Sequence, residues 1–243
     1  MTKLFPAFLA LAGALALSGC AGLHPGKLSP APSEEGKPLQ PVPVFPGMAG
    51  AGEGEAPLSD LVFNLLAGEL AGREHRLDLA VEHYLLAAEA SDDPRVAERA
   101  VRIALFAKQP EQALTAARRW IELAPDSVAA HQTLAALSVR TGRVEEALEE
   151  LEWLLDHQAD FVEITALLAR EADHRAALDV MRRLAARHPD RPEAWLAHAR
   201  LAQLAKAYDE ALGAIDKALA LRPDWDDAVI ERARILARAG RRS

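Results

Sequence analysis

The stretch VAAHQTLAALSVRTGRVEEALEELEWLLD, residues 128–156, decides the fold. In its second half, apolar residues recur three or four positions apart on one side of a predicted helix from Val144 to Asp156. The other side carries Glu145, Glu146, Glu149, Glu150 and Glu152, which we expect to face solvent. The first half predicts a helix from Val128 to Arg140, which ends at Thr141-Gly142. The stretch therefore predicts two antiparallel helices joined by a short turn.

This hairpin recurs along the chain. A small residue lies early in each predicted second helix, with successive separations of 33, 34, 30 and 34 residues: Ala80, Ala113, Ala147, Ala177 and Ala211. A proline follows twelve residues later in three units, and small residues also mark the first helices: Pro125, Pro189 and Pro223; Gly68, Ala135 and Ala199. Small residues permit close helix crossings, so we expect all of these positions to serve packing within and between the hairpins.

The spacing and the small residues resemble the tetratricopeptide repeat family from Leu58 to the end of the chain. The resemblance implies an all-α fold, a right-handed α-solenoid of about five helix hairpins plus a terminal helix from Asp226 to Ala239. The third interval is four residues short, so we expect an unusually tight turn near Ala172 to His174.

The N-terminus has the layout of a secretory signal. Lys3 precedes an apolar run from Leu4 to Leu17, and Leu17-Ser18-Gly19-Cys20 resembles the bacterial lipobox. The resemblance implies removal of residues 1–19 and lipidation of Cys20, with the protein anchored in a lipid bilayer. The alternative is an ordinary signal peptide with an accidental cysteine. Ala21, where an aspartate would resemble the inner-membrane retention signal, favours the periplasmic side of the outer membrane.

A Pro- and Gly-rich segment separates Cys20 from the repeats. Residues 20–57 contain eight prolines and no periodic apolar face, which predicts a tether. The expected organisation is therefore a signal peptide at 1–19, a lipidated cysteine and tether at 20–57, and a repeat domain at 58–243.

Composition and motifs argue against several functions. A net charge of −8 disfavours nucleic acid as the main partner, because phosphate binding needs a basic surface. The eight histidines never form a two-histidine zinc pattern, and the chain lacks a nucleophile elbow, a phosphate loop and a dinucleotide fingerprint. We therefore predict a protein that is not an enzyme, with no catalytic residue, no metal and no cofactor.

Arginines mark a candidate partner-binding groove on the first helices. Arg95, Arg99 and Arg102 are spaced four and three apart and share a helix face. Repeat phase places four further arginines on or near the same inner surface: Arg140, Arg200, Arg234 and Arg238. Such a groove would receive an extended peptide, a carboxylate or an acidic partner surface. The alternative is a solvated face balanced by local glutamates such as Glu98 and Glu231.

Four segments carry a closer resemblance: Leu65–Gly72, Leu79–Tyr84, Asp93–Ala100 and Arg187–Trp225. They resemble proteobacterial outer-membrane tetratricopeptide lipoproteins, a group that includes the adaptor of the carboxyl-terminal processing protease. The resemblance implies a non-catalytic periplasmic scaffold, anchored to the outer membrane, that tethers such a protease or a cell-wall enzyme and its substrates. For the protease, the implied substrates are cell-wall hydrolases. The alternative is a pilotin-like assembly lipoprotein for a secretin or type IV pilus complex.

Overall fold

The computed structural model describes residues 56–240. The predicted signal peptide 1–19, Cys20 and all but the end of the predicted tether lie outside these residues. The described part of the chain consists of eleven α-helices and contains no strand: α1 (Ala56–Arg73), α2 (Leu77–Glu89), α3 (Pro94–Phe106), α4 (Pro110–Leu123), α5 (Val128–Arg140), α6 (Val144–Asp156), α7 (Phe161–Leu168), α8 (His174–Arg187), α9 (Pro192–Leu204), α10 (Tyr208–Leu221) and α11 (Asp226–Arg238).

The predicted all-α repeat fold is confirmed. Each helix packs mainly on helices that are close to it along the chain, as a stack of hairpins requires. α5 and α6 have the bounds predicted for the deciding stretch, and Ser127 caps α5 by accepting a hydrogen bond from the Ala130 amide. α11 ends one residue before the predicted limit at Ala239, and α1 begins two residues before Leu58.

The fourth hairpin departs from the expectation. Its first helix, α7, has only 8 residues, whereas α3, α5 and α9 have 13 each. The turn that follows runs from Ala169 to Asp173, longer than the three-residue turn between α5 and α6. The prediction of a tighter turn near Ala172 to His174 is therefore wrong. This repeat is shorter than the others because α7 is shorter, not because the turn is. The short α7 packs chiefly on α9, the first helix of the next hairpin.

The small residues identified from repeat phase lie in the core. The alanines are all fully buried: Ala80, Ala113, Ala135, Ala147, Ala177, Ala199 and Ala211. The three prolines each lie two residues beyond the end of a second helix: Pro125 after α4, Pro189 after α8 and Pro223 after α10. Proline cannot extend the preceding helix, so each marks the point where the chain turns toward the next hairpin.

The acidic side predicted for α6 is only partly exposed. Glu145 and Glu149 face solvent, but Glu146, Glu150 and Glu152 are half-buried, so the prediction for these three residues is wrong. Glu146 accepts hydrogen bonds from Arg118 of α4 at 2.7 Å and from Ser138 of α5 at 3.0 Å. The Arg118 hydrogen bond holds the pKa of Glu146 below its usual range. The Glu146 carboxylate thus connects the hairpin formed by α5 and α6 to the preceding hairpin formed by α3 and α4.

The first hairpin closes around Gly68. A Cβ atom at this position would lie 2.9 Å from Cδ2 of Tyr84, which is itself buried. The Tyr84 ring has little freedom to move aside, because its hydroxyl donates to Glu69 and accepts from Nε of Arg99 at 2.7 Å. α1, α2 and α3 therefore meet at a contact that only glycine allows.

We expect Gly68→Ala to destabilise the fold, although Gly→Ala inside a helix ordinarily stabilises by about 1 kcal/mol. The new methyl group must displace the Tyr84 ring, which strains its hydrogen bonds. Gly213→Ala is the matched control, because Gly213 lies inside α10 and a Cβ atom added there would meet no neighbouring atom of the described residues within 4 Å. Thermal unfolding followed by circular dichroism should show a lower Tm for Gly68→Ala and an unchanged or higher Tm for Gly213→Ala. Equal Tm shifts would show that Tyr84 yields freely.

Candidate functional site

Three cavities open on the surface formed by the first helices α3, α5, α7 and α9, which we name the first-helix face. The central cavity lies among α3, α5, α7 and the turn after α7. Its apolar lining includes Leu105, Leu137 and Leu167, and its polar lining includes Arg140 and Arg170. A neighbouring cavity shares Leu105 and Arg140 with it and reaches Lys108. The central region therefore combines aliphatic surface with basic side chains.

The distal cavity lies among α7, α9 and Trp225. Phe161 and Leu196 are buried side chains in its wall, and Val162 is a largely exposed side chain at its edge. The Arg191 guanidinium lies over the Phe161 ring, 5.0 Å from its centroid. This cavity is mainly apolar and carries its charged groups at the margin.

Six of the seven arginines predicted for the groove have a carboxylate partner. The pairs are Arg95–Asp93 at 2.6 Å, Arg99–Glu69, Arg102–Glu98 at 2.7 Å, Arg140–Glu171 at 3.2 Å, Arg200–Glu231 at 3.7 Å and Arg234–Glu231 at 3.2 Å. Arg238 instead donates to the Gln203 side-chain oxygen at 2.6 Å. Arg140 lines the central cavity and Arg200 the distal one. Partner binding by these residues stays a prediction, but their charge is largely balanced within the protein.

Arg99 is part of the packing of the first hairpin. It donates to both Tyr84 and Glu69, and so connects α3 to α2 and α1. The hydrogen bond from Tyr84, together with Arg99, holds the pKa of Glu69 below its usual range. Replacing Arg99 would therefore disturb the fold as well as any surface for a partner.

The cations that remain free on the first-helix face are ones that the sequence analysis did not select. Lys108, Arg170 and Arg191 are exposed and form no ion pair with any residue that the structure describes. Arg170 is adjacent in sequence to Glu171, but Glu171 pairs with Arg140 from the preceding hairpin. Arg191 is two residues from Glu193, but Glu193 pairs with Arg222 at 2.6 Å. The carboxylates that local sequence would assign to Arg170 and Arg191 are thus occupied elsewhere.

A ring stack joins α5 to α6. Trp153 lies between His131 and His157, with ring centroids 3.4 Å and 3.8 Å away. His131 Nδ1 is 2.5 Å from Oε2 of Glu150, and its Nε2 is 2.9 Å from the Pro125 carbonyl oxygen. A carbonyl and an ionised carboxylate both only accept, whereas a neutral imidazole donates from one nitrogen alone. The His131–Glu150 pair therefore needs one extra proton to satisfy both contacts, and burial raises the pKa of Glu150.

Within residues 59–240, no group of three or more His, Cys, Asp or Glu side chains is arranged to hold a metal ion. None of the helices that the structure describes combines the length and apolar character needed to cross a bilayer. The predictions of no metal, no cofactor and no catalytic residue stay predictions.

A tetratricopeptide repeat family model matches residues 104–171, which run from the end of α3 through the turn after α7. A TPR repeat-containing protein of Pseudomonas aeruginosa is 32% identical over 181 residues, covering 73% of this chain. The chain belongs to the tetratricopeptide repeat family. This tetratricopeptide repeat protein spans about 30% of the length of that relative.

Solved structures of tetratricopeptide repeat proteins are also similar to the chain. One is from Parabacteroides merdae, with 15% identity and a TM-score of 0.40, covering 75% of this chain and 74% of the other. Another is YrrB, described as a TPR protein with an unusual peptide-binding site, with 17% identity and a TM-score of 0.37, covering 72% and 93%. Family membership indicates a protein–protein interaction scaffold.

Proposed function

We propose that this protein is a non-catalytic adaptor, anchored to the outer membrane through Cys20 and facing the periplasm. It tethers an envelope protease or cell-wall enzyme and presents protein substrates to it. Confinement to one membrane surface and attachment to one scaffold raise the effective concentration of the two partners, so the adaptor accelerates their encounter without chemistry of its own.

The observation that carries the proposal is the lining of the central cavity. Leu105, Leu137 and Leu167 offer apolar surface there, and Arg170 adds a positive charge. Lys108 adds a second positive charge in the neighbouring cavity, and no described carboxylate forms an ion pair with either side chain. A partner polypeptide with aliphatic and acidic side chains would complement this surface, whereas a strongly basic partner would be repelled.

The proposed partners are tested by crosslinking the lipidated protein in envelope membranes, followed by affinity purification and mass spectrometry. Recovery of a processing protease with cell-wall hydrolases, reduced in a Cys20→Ala control, would support the adaptor. Recovery of a secretin or pilus component in their place would overturn it in favour of an assembly lipoprotein.

We expect the double change Lys108→Glu and Arg170→Glu to weaken capture of the recovered partner about tenfold, a loss of ~1.4 kcal/mol. Both side chains are exposed, so the change should leave the fold intact. Arg175→Glu is the control, because Arg175 is equally exposed but lies at the start of the second helix α8. Binding of the purified partner by each variant can be measured by surface plasmon resonance. An equal loss for Arg175→Glu would mean that overall charge, not the central cavity, decides the affinity.

A further inference from the structure

The helix α1 carries an exposed apolar stripe, formed by Val62, Phe63, Leu66 and Leu70, which we name the α1 stripe. Phe63 is 64% exposed and Leu66 is 66% exposed. Counted from Gly68, Phe63 and Leu70 lie at the positions of two pairs that are buried in α5 and α9, counted there from the corresponding small residues: Ala130 and Leu137; Ala194 and Leu201. α5 and α9 pack on the second helices α4 and α8 of the preceding hairpins, whereas no described helix precedes α1. The α1 stripe is therefore a packing surface without a partner in the described part of the chain.

The helix α11, at the other end of the stack, has an exposed apolar stripe of its own, which we name the α11 stripe. It consists of Val229, Ile230, Ala233 and Ala237. The residues at the last three of these positions in α9 are buried, and α9 packs on its own second helix, α10: Leu196, Ala199 and Gln203. No second helix follows α11 among the described residues. The α1 and α11 stripes each span nine positions, 62–70 and 229–237, so they match in length.

The two stripes differ in the size of their side chains. The α1 stripe presents Phe63, Leu66 and Leu70, and the α11 stripe presents Ala233 and Ala237 at its centre and end. Two helices pack closely when large side chains on one lie opposite small ones on the other. Two α1 stripes would place large side chains against each other, and two α11 stripes would bury little apolar surface. An α1 stripe on an α11 stripe is the combination that packs well.

The charges at the ends of α1 and α11 match when the two helices are antiparallel. Arg73 lies at the end of α1, Asp226 and Asp227 lie at the start of α11, and none of the three forms an ion pair with a described residue. Near the start of α1, Asp60 also forms no ion pair, and Arg238 at the end of α11 has no carboxylate partner among the described residues. An antiparallel arrangement brings Arg73 to the two aspartates and Asp60 to Arg238. Unlike charges therefore meet at both ends of the contact.

We propose that copies of this chain associate head to tail, with the α1 stripe of one copy packed antiparallel on the α11 stripe of the next. Burial of Phe63, Leu66 and Leu70 over Ala233 and Ala237 provides the affinity, and the charges at the helix ends fix the orientation. Because the two contacting surfaces are different, a pair of copies leaves one α1 stripe and one α11 stripe open, so further copies add in a row. This self-association goes beyond the proposed function and does not depend on which enzyme the scaffold tethers.

The test is site-directed crosslinking between two differently tagged full-length copies produced in the same cells. One copy carries Leu66→Cys and the other carries Ala233→Cys, and a short bismaleimide joins cysteines that are close in space. We expect a crosslinked product that contains both tags. The unchanged chain, in which Cys20 is the single cysteine, shows the background. Glu149→Cys, at an exposed position of α6, is the control for chance encounters and should give no product above this background.

Charges placed in the apolar contact should abolish the product. We expect Phe63→Asp in the first copy, or Ile230→Asp in the second, to lower the yield at least tenfold. Val128→Asp is the matched control, because Val128 is an exposed valine of α5 that lies on neither stripe, and it should leave the yield unchanged. The three side chains are exposed, so each variant should keep the wild-type Tm by circular dichroism.

Charge reversal tests the orientation. Arg73→Asp in the first copy should lower the yield, and Asp226→Arg with Asp227→Arg in the second copy should restore it. Absence of the mixed product, a product formed instead between two Leu66→Cys copies, or a yield that survives both apolar changes would overturn the inference. The capture of partners from envelope membranes is a separate readout. Its success beside a failed crosslink between copies would reject self-association while keeping the scaffold function.

Discussion

Ala147→Trp is expected to lower the free energy of unfolding by about 3 kcal/mol, because an indole cannot fit at a fully buried helix crossing. Ala147 has no exposed surface and lies in α6, which packs on both α5 and α8. The larger side chain must push these helices apart or adopt an unfavourable rotamer. Since each hairpin is stabilised by its neighbours, the loss should extend to the hairpins on either side. The melting temperature of the full chain, followed by circular dichroism, measures the effect.

Glu149→Trp is the control for this substitution. Glu149 lies two residues further along α6 but is exposed, so the same side chain should be accepted there with little change in Tm. A Tm for Ala147→Trp equal to that of the wild-type protein would mean that the helix crossing is not closely packed, and that the repeat phase built on this alanine is incorrect.

Glu150→Gln is expected to make the protein more stable than wild type as the pH rises above about 4.5, the ordinary pKa of the carboxyl group. Burial raises the pKa of Glu150 in the folded state, so the folded protein keeps this proton at pH values where the unfolded chain has lost it. The stabilisation from the protonated carboxyl is complete below the unfolded pKa and is lost as the pH rises through the folded pKa. Because only one proton is involved, the free energy of unfolding can fall by at most about 1.4 kcal/mol per pH unit.

Glutamine imitates the protonated carboxyl and does not ionise. Its amide can donate to Nδ1 of His131 while Nε2 donates to the Pro125 carbonyl oxygen, so both contacts of the imidazole are preserved. Urea unfolding of both proteins at intervals from pH 4 to pH 8 measures the difference in free energy. The two proteins should converge near pH 4 and diverge as the pH increases. Parallel curves across this range would show that Glu150 ionises in the folded protein as it does in the unfolded chain.

The loss of folding stability at acidic pH should come from carboxylates other than Glu150. The Arg118 hydrogen bond lowers the pKa of Glu146, and the Arg182 hydrogen bond lowers that of Glu210. A lowered pKa gives stability that is present above the unfolded value and is lost as the pH falls through the folded value. The stabilisation by these two carboxylates is therefore lost below about pH 4.5. In that range the free energies of unfolding of Glu150→Gln and wild type should be equal.

Local sequence was sufficient for the helices with regular spacing. The periodicity of 128–156 predicted both helices of one hairpin, because burial of one face requires apolar residues every three or four positions. The turn after α5 could also be predicted from the sequence, since Gly142 adopts a φ of 74° that favours glycine. The corresponding turns at His75, Lys108 and Lys206 have φ of 59°, 59° and 61° without glycine. Nothing in those residue types indicates a left-handed conformation, which the packing of the flanking helices imposes.

The sequence by itself determined the repeat and its phase, because small residues at a spacing near 34 are required wherever hairpins cross closely. Only the tertiary structure decided which charges stay free. The local sequence places Glu171 beside Arg170 and Glu193 beside Arg191, yet these carboxylates pair with Arg140 and Arg222, 31 and 29 residues away. The strength of an ion pair depends on distance in space, and the stacking of hairpins brings distant residues closer than sequence neighbours. The free cations of the first-helix face are therefore a product of the stack.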